Sequence, residues 1–123
     1  MRSREPLKLG VLGAGMIATV DYGYLPGLSH IADKAVLTAI GDPVVDRARQ
    51  VAADYGVNGR HVYADLDAML DQADIDMLLN LTPIPLHAST TLKALRAGKH
   101  VLSEKPLATS MDDADAIVET ARS

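Results

Sequence analysis

The sequence has no cysteine, no phenylalanine and no tryptophan, and each absence excludes something. Without cysteine the chain can form neither disulfides nor thiolate metal sites, which fits a reducing compartment. Four tyrosines are the only aromatic residues, so the core has to be built from aliphatic side chains. Such a core is typical of strands that are buried on both faces beneath helices.

The chain also lacks any cluster of positive charge and any long apolar segment. Its 12 basic and 16 acidic residues give a net charge of −4, so we expect neither nucleic acid nor an anionic membrane as a partner. No apolar run approaches the roughly 20 residues that span a bilayer. The polar residues 1–6 do not resemble a secretion signal, and we therefore expect a cytoplasmic protein.

Short apolar runs alternate with segments of helical period along the whole chain. Strands are predicted over 7–12, 35–40, 61–63, 75–81 and 100–102. The first helix is predicted over 16–30, with an uncertain second half, and the second has Pro43 at its first position. The third follows a cap at Asp65, the fourth ends at Gly98, and the fifth runs from a cap at Ser110 to the end of the chain. This alternation predicts one α/β domain over 1–123 with a doubly wound parallel sheet. Its ligand crevice should lie at the carboxyl ends of strands one and four.

The segment Gly13-Ala14-Gly15-Met16-Ile17-Ala18 joins the first predicted strand to the first predicted helix. That context is typical of the phosphate-binding turn of a Rossmann fold. Gly13 would permit the tight turn, Gly15 would let a pyrophosphate approach the backbone, and Ala18 would keep helix and strand close. The N–H groups at the helix N-terminus favour an anion there. The alternative is a glycine-rich turn that binds no ligand.

Asp42 ends the second predicted strand and has two interpretations. An acid about 20 residues beyond the glycine turn would bind the hydroxyls of an adenosine ribose and favour NAD over NADP. Equally, Asp42 followed by Pro43 would make a good N-cap and first helical position. One carboxylate oxygen can serve each role. Arg47, one helical turn further on, leaves NADP open.

Polar residues also follow the fourth and fifth predicted strands. Asn80, Thr82 and Pro83 are either helix caps or contacts to the dinucleotide, and His87 is either solvated or a site residue. At the end of strand five, Lys105 beside Glu104 is either a solvated charge or a group that stabilises a developing alkoxide. The remaining histidines show no metal-ligand spacing, and we interpret them as structural or solvated: His30, His61 and His100.

The motifs occur in the order of a known family. They comprise the glycine turn, Tyr63–Leu66, Ile75-Asp76, Thr82-Pro83, His87 and, most specifically, the run Ala97–Ala108 with the sequence AGKHVLSEKPLA. Together they resemble the glucose-fructose oxidoreductase, inositol dehydrogenase and rhizopine catabolism (Gfo/Idh/MocA) family over nearly the whole chain.

The resemblance implies a cofactor site for NAD, with NADP as the alternative. It assigns the phosphate loop to Gly13, Gly15, Met16 and Ile17, the ribose acid to Asp42, the adenosine and pyrophosphate wall to Thr82 and Pro83, and further cofactor contacts to His87, Glu104 and Lys105. Lys105 would also be the catalytic residue that reaches the substrate. That substrate would be a sugar, a cyclitol or a related compound that exchanges hydride with the nicotinamide.

The resemblance also implies that residues 1–123 are the N-terminal part of a longer two-domain protein. Family members run well beyond 300 residues, and their second domain supplies the substrate pocket and the oligomer interface. We therefore expect an enzyme whose isolated N-terminal domain is inactive and whose physiological form is a homo-oligomer. The sheet would stop after about five strands, and its exposed edge favours self-association. The alternative function is a non-catalytic sugar sensor or transcriptional regulator of the same family.

Overall fold

A computed structural model of the chain describes residues 5–19 and 23–123. The strands are β1 (Leu7–Leu12), β2 (Ala35–Gly41), β3 (Val62–Tyr63), β4 (Met77–Asn80) and β5 (His100–Ser103). The helices are α1 (Met16–Thr19), α2 (Tyr24–Gly27), α3 (Val45–Asp54), α4 (Leu66–Gln72), α5 (His87–Arg96) and α6 (Met111–Arg122). Single 3₁₀ turns cover Leu28–Ile31, Gly59–His61 and Ile84–Leu86. None of the described helices is long and apolar enough to cross a membrane.

The five strands form one parallel sheet in the order β3-β2-β1-β4-β5. The chain moves outward from β1 through β2 to β3 and then returns to the other side of β1. Consequently Leu12, the last residue of β1, pairs with Gly41 of β2 and with Asn80 of β4. The carboxyl ends of the three central strands meet at this topological switch point, as predicted.

The core is aliphatic and lies in two layers, one on each face of the sheet. Residues of β1 enter both layers, since Val11 packs with the first cluster and Leu12 with the second. In the second layer α4 contributes Met69, which is fully buried. The predicted aliphatic core between helices is therefore confirmed.

The predicted helix ends that depend on local hydrogen bonds are confirmed. Asp65 Oδ1 accepts the N–H of Ala68 at 2.8 Å at the start of α4. Ser110 Oγ accepts the N–H of Asp113 at 3.1 Å at the start of α6. Gly98 follows α5 with a φ of +80°, a conformation that suits glycine after a helix.

Several boundaries differ from the prediction. β4 covers Met77–Asn80 instead of 75–81, and β2 and β5 each extend one residue further, to Gly41 and Ser103. The continuous helix over 16–30 is wrong in its second half, where α2 is followed by a 3₁₀ turn, while residues 20–22 lie outside the described residues. His61 belongs to a 3₁₀ turn instead of β3, because its N–H bonds to the carbonyl of Asn58. Pro43 is not the first residue of α3, which begins at Val45 after an N-cap at Val44. Asp42 lies before this cap, where its Oδ1 accepts the N–H of Val44.

Candidate functional site

The glycine loop between β1 and α1 has two glycines with different structural requirements. Gly13 has a φ of +102°, and a Cβ there would collide with the backbone carbonyl of Leu81. Glycine is thus required at position 13 by the backbone and by the neighbouring strand. A Cβ on Gly15, in contrast, would meet no atom within 4 Å. Packing among the described residues therefore does not account for Gly15, and its missing side chain leaves space on the cavity wall.

The loop leads directly into α1, and this junction forms the candidate anion site. Met16 and Ile17 are the first residues of α1, while their side chains lie outside the described part of the chain. Ala18 is completely buried, which keeps the start of the helix against the sheet as predicted. Backbone N–H groups at a helix start attract anionic phosphate groups.

The carboxylate of Asp42 ties the glycine loop to the end of β2. Its side chain is 1% exposed. Oδ2 accepts the N–H of Ala14 at 2.8 Å, and Oδ1 accepts the N–H of Val44 at 2.8 Å. The guanidinium of Arg47 bonds to both oxygens, at 3.0 and 2.9 Å from its terminal nitrogen. In this structure Asp42 is therefore a loop anchor whose acceptor positions are already in use.

These partners also determine the charge state of Asp42. Burial by itself raises the pKa of this carboxyl. The N–H groups of Ala14 and Val44 and the guanidinium of Arg47 act in the opposite direction and together lower the pKa below its ordinary value of 3.8. The acid is ionised at neutral pH, and Arg47 compensates its charge.

A cavity of about 660 Å³ opens at the carboxyl ends of β1, β2 and β4. Its walls come from the glycine loop, from the segment after β2 and from the segment after β4, through Gly13, Gly15, Asp42, Val44, Arg47, Thr82, Pro83 and Leu86. At its rim Lys93 Nζ pairs with Asp67 Oδ1 at 2.8 Å. A mostly apolar cleft of this size with a few polar groups is typical of a cofactor site.

Asn80 organises the segment after β4 from inside the protein. Its buried Nδ2 donates to the carbonyl of His87 at 3.0 Å and to the hydroxyl of Thr91 at 2.9 Å. Its Oδ1 accepts the hydroxyl of Thr82 at 2.6 Å. Asn80 thus fixes the turn that carries Thr82 and Pro83 along the cavity wall.

His87 lies in the first turn of α5 and is 2% exposed. Its Nδ1 lies 2.6 Å from the carbonyl oxygen of Pro106, and its Nε2 lies 2.8 Å from the carbonyl oxygen of Thr82. The interpretation of His87 as a solvated side chain is therefore wrong. His87 links the segments after β4 and β5, and it is not among the residues that line the cavity.

The segment Glu104-Lys105-Pro106 follows β5 and contains a cis peptide bond between Lys105 and Pro106. Glu104 Oε2 accepts the hydroxyl of Tyr24 at 2.8 Å, and Glu104 Oε1 accepts the N–H of Lys105 at 3.3 Å. The hydrogen bond to Glu104 and then burial raise the pKa of Tyr24 above its ordinary value of 10.0. Lys105 itself is exposed.

Sequence reasoning missed Tyr24. It lies 80 positions before Glu104, and no pattern near it indicates a polar partner. Among the other histidines, His30 and His100 are exposed and His61 is half-buried. Within residues 5–19 and 23–123, no group of three or more acidic or histidine side chains could hold a metal ion.

The parallel sheet, the glycine turn at its switch point and the cleft beside it define a nucleotide-binding Rossmann domain. A family model described as an oxidoreductase family with an NAD-binding Rossmann fold, that of the Gfo/Idh/MocA proteins, matches residues 7–123. The chain belongs to this family, and the predicted resemblance and fold class are confirmed.

Similar proteins come from several bacteria. The inositol 2-dehydrogenase of Klebsiella pneumoniae is 37% identical over 113 residues, which cover 92% of this chain and 32% of that protein. The WlbA dehydrogenase of Bordetella pertussis, solved with NADH and UDP-GlcNAcA, has a TM-score of 0.87 at 27% identity and covers 99% of this chain. A 3-ketoreductase of Actinomadura kijaniata, solved with TDP-benzene and NADP, has a TM-score of 0.83 at 37% identity over 95% of this chain. This chain spans about a third of the length of these relatives.

Proposed function

We propose that this chain is the cofactor-binding domain of an NAD(P)-dependent oxidoreductase acting on a hydroxyl-bearing carbon of a sugar, a cyclitol or a related compound. The observation that carries the proposal is the open space in front of Gly15, beside a cleft of about 660 Å³ at the switch point of the sheet. Relatives with the same domain include inositol 2-dehydrogenases and sugar reductases.

The adenosine half of the dinucleotide would occupy this cleft. The backbone of Gly13, Gly15, Met16 and Ile17 would surround the pyrophosphate at the start of α1. Thr82 and Pro83 would form the wall on the side of β4. The cleft combines mostly apolar walls with the glycine loop at the start of α1, which suits a ligand with flat rings and a charged centre.

Asp42 and Arg47 would set the preference between the two dinucleotides. An ionised Asp42 repels a 2′-phosphate and accepts ribose hydroxyls, which favours NAD. Because Arg47 already occupies both oxygens of Asp42, a ribose has to displace it. Arg47 is half exposed and can then turn toward a 2′-phosphate, so NADP is the second ligand of the proposal.

Lys105 would be the catalytic residue of this domain. When bound, the nicotinamide supplies or accepts the hydride. The exposed ammonium of Lys105, at the carboxyl end of β5, would bind the substrate oxygen and stabilise negative charge on it. A second group from outside residues 1–123 would complete the proton transfer. Glu104 and His87, proposed from the sequence as cofactor contacts, would act through the loop that carries Lys105.

A titration of the chain with NADH, followed by NADH fluorescence, tests the proposal. The decisive variant is Gly15→Val, because its side chain enters open space and should leave folding intact while it blocks the pyrophosphate. Gly59→Val is the matched control, since a Cβ there also meets no atom within 4 Å. We expect weak saturable binding by the parent chain and the control, and none by Gly15→Val at an equal melting temperature. Equal binding by Gly15→Val would contradict the proposed site.

We further propose a cytoplasmic location and a homo-oligomeric state, as expected from the sequence. The exposed fraction of Leu102, 46%, in the edge strand β5 supports self-association through that edge of the sheet. Size-exclusion chromatography with light scattering measures the oligomeric state. A monomer at every concentration would contradict self-association of this chain.

A further inference from the structure

The segment Glu104–Pro106, here named the Lys105 loop, has most of its backbone polar groups bonded within the protein. The N–H of Glu104 donates to the carbonyl of Asn80 at 3.1 Å. The N–H of Lys105 donates to Glu104 Oε1, and the carbonyl of Pro106 faces His87 Nδ1 at 2.6 Å. Bonds from β4 and α5 therefore fix the loop on one side, while the side chain of Lys105 remains exposed.

On its other side, the Lys105 loop is held by one residue of α2. The hydroxyl of Tyr24 donates to Glu104 Oε2 at 2.8 Å. The ring of Tyr24 packs, partly buried, against the core cluster that contains Val11 and Leu25. Because the ring is fixed by the core, its hydroxyl holds the carboxylate of Glu104 at a defined place. The opposite oxygen of that carboxylate then accepts the N–H of Lys105.

We propose that Tyr24 is a positioning residue for Lys105, acting through Glu104. The carboxylate of Glu104 accepts two hydrogen bonds, one from the hydroxyl of Tyr24 and one from the backbone N–H of Lys105. The ammonium of the same Lys105 would bind the substrate. The catalytic meaning of this link rests on the proposed function of Lys105. The link joins groups of this chain alone, so it can be measured separately from dinucleotide binding.

The variant Tyr24→Phe tests the link, since it removes one hydroxyl and keeps the ring in the core. A hydrogen bond to an ionised acceptor is among the stronger ones in proteins. We expect the backbone N–H groups of Glu104 and Lys105 to exchange with water about tenfold faster in Tyr24→Phe, measured by NMR on the free chain. Exchange at Val11 in the core should not change.

Tyr55→Phe is the matched control, because Tyr55 also packs, partly buried, against the same core cluster. It should leave exchange in the Lys105 loop unchanged. Glu104→Gln supplies a second variant, and the double variant with Tyr24→Phe completes a cycle. If the two side chains act as one unit, the double variant exchanges no faster than the faster single variant.

The titration of Tyr24 gives a spectroscopic readout of its hydrogen bond to Glu104 that is independent of amide exchange. The ¹³Cζ resonance of Tyr24 should report a phenol pKa above 10.0, and Glu104→Gln should return it toward that value. The proposal is overturned if Tyr24→Phe leaves the Lys105 loop unchanged, if Tyr55→Phe accelerates it equally, or if the two substitutions are additive. Absence of NADH binding with selective acceleration by Tyr24→Phe would instead contradict the proposed function alone.

Discussion

Replacing Asp42 by alanine should lower the free energy of unfolding, because the carboxylate bonds several partners that are all lost together. The substitution removes the acceptor from two N–H groups, of Ala14 and Val44, and the first of these bonds is buried. A hydrogen bond to a charged group contributes about 1.5–3 kcal/mol. The ion pair adds less than about 1 kcal/mol, because half of the side chain of Arg47 is exposed. We therefore expect Asp42→Ala to lower the free energy of unfolding by about 3 kcal/mol.

Urea denaturation at neutral pH measures this difference, with Arg47→Ala as the comparison. Arg47→Ala removes only the half-exposed partner and should cost less than about 1 kcal/mol. Both variants should keep the m-value of the parent chain, because the area buried on folding does not change. Equal losses in the two variants would refute the reasoning, because the N–H groups of the glycine loop would then contribute nothing.

The pH dependence of stability provides a second test of Asp42. Its pKa is lowered in the folded chain, so folding favours the ionised carboxylate. The stabilisation is present above the ordinary carboxyl pKa of 3.8 and is lost as pH falls through the lower folded value. The difference in unfolding free energy between the parent chain and Asp42→Asn should therefore shrink as the pH falls below about 4. A constant difference down to pH 2 would contradict the assignment.

Three further predictions concern the same end of the sheet. Gly13→Ala should cost at least about 2 kcal/mol in urea denaturation, because a φ of +102° and the carbonyl of Leu81 both oppose a Cβ. Arg47→Ala should bind NADH about threefold more tightly, because it frees acceptor positions on Asp42 for the ribose. It should bind NADPH more weakly, because it removes the cation that would meet the 2′-phosphate. Equal changes in the two titrations would contradict this. His87→Phe should lower the melting temperature by several degrees in calorimetry, about 2 kcal/mol, because the buried ring no longer offers an N–H to the facing carbonyls of Thr82 and Pro106.

Much of the fold follows from local sequence patterns. The periodicity predicted β1 at its observed bounds, Leu7–Leu12, and the alternation of strands and helices predicted the parallel sheet. The caps at Asp65 and Ser110 were predictable because a capping side chain bonds an N–H only three residues away. The start of α3 was predicted less well, since its N-cap is Val44 and not Asp42.

The glycine loop was visible in the sequence, which assigned the tight turn to Gly13 and the approach of a pyrophosphate to Gly15. The structure adds that a Cβ at position 13 would collide with the carbonyl of Leu81, while a Cβ at position 15 would meet no atom of the described residues within 4 Å. Gly15 combines this open space with a place on the cavity wall, and the combination supports a ligand there.

The sequence by itself determined the class of fold, the place of the crevice and the residue types at its edge. Periodicity and capping act over a few residues, so they can be read along the chain. Only the tertiary structure decided what these residues do. Asp42 lies 28 positions from Ala14, His87 lies 19 from Pro106, and Tyr24 lies 80 from Glu104. Such pairs depend on how the strands are ordered and on which helix faces which loop, and they join only when the whole sheet is assembled.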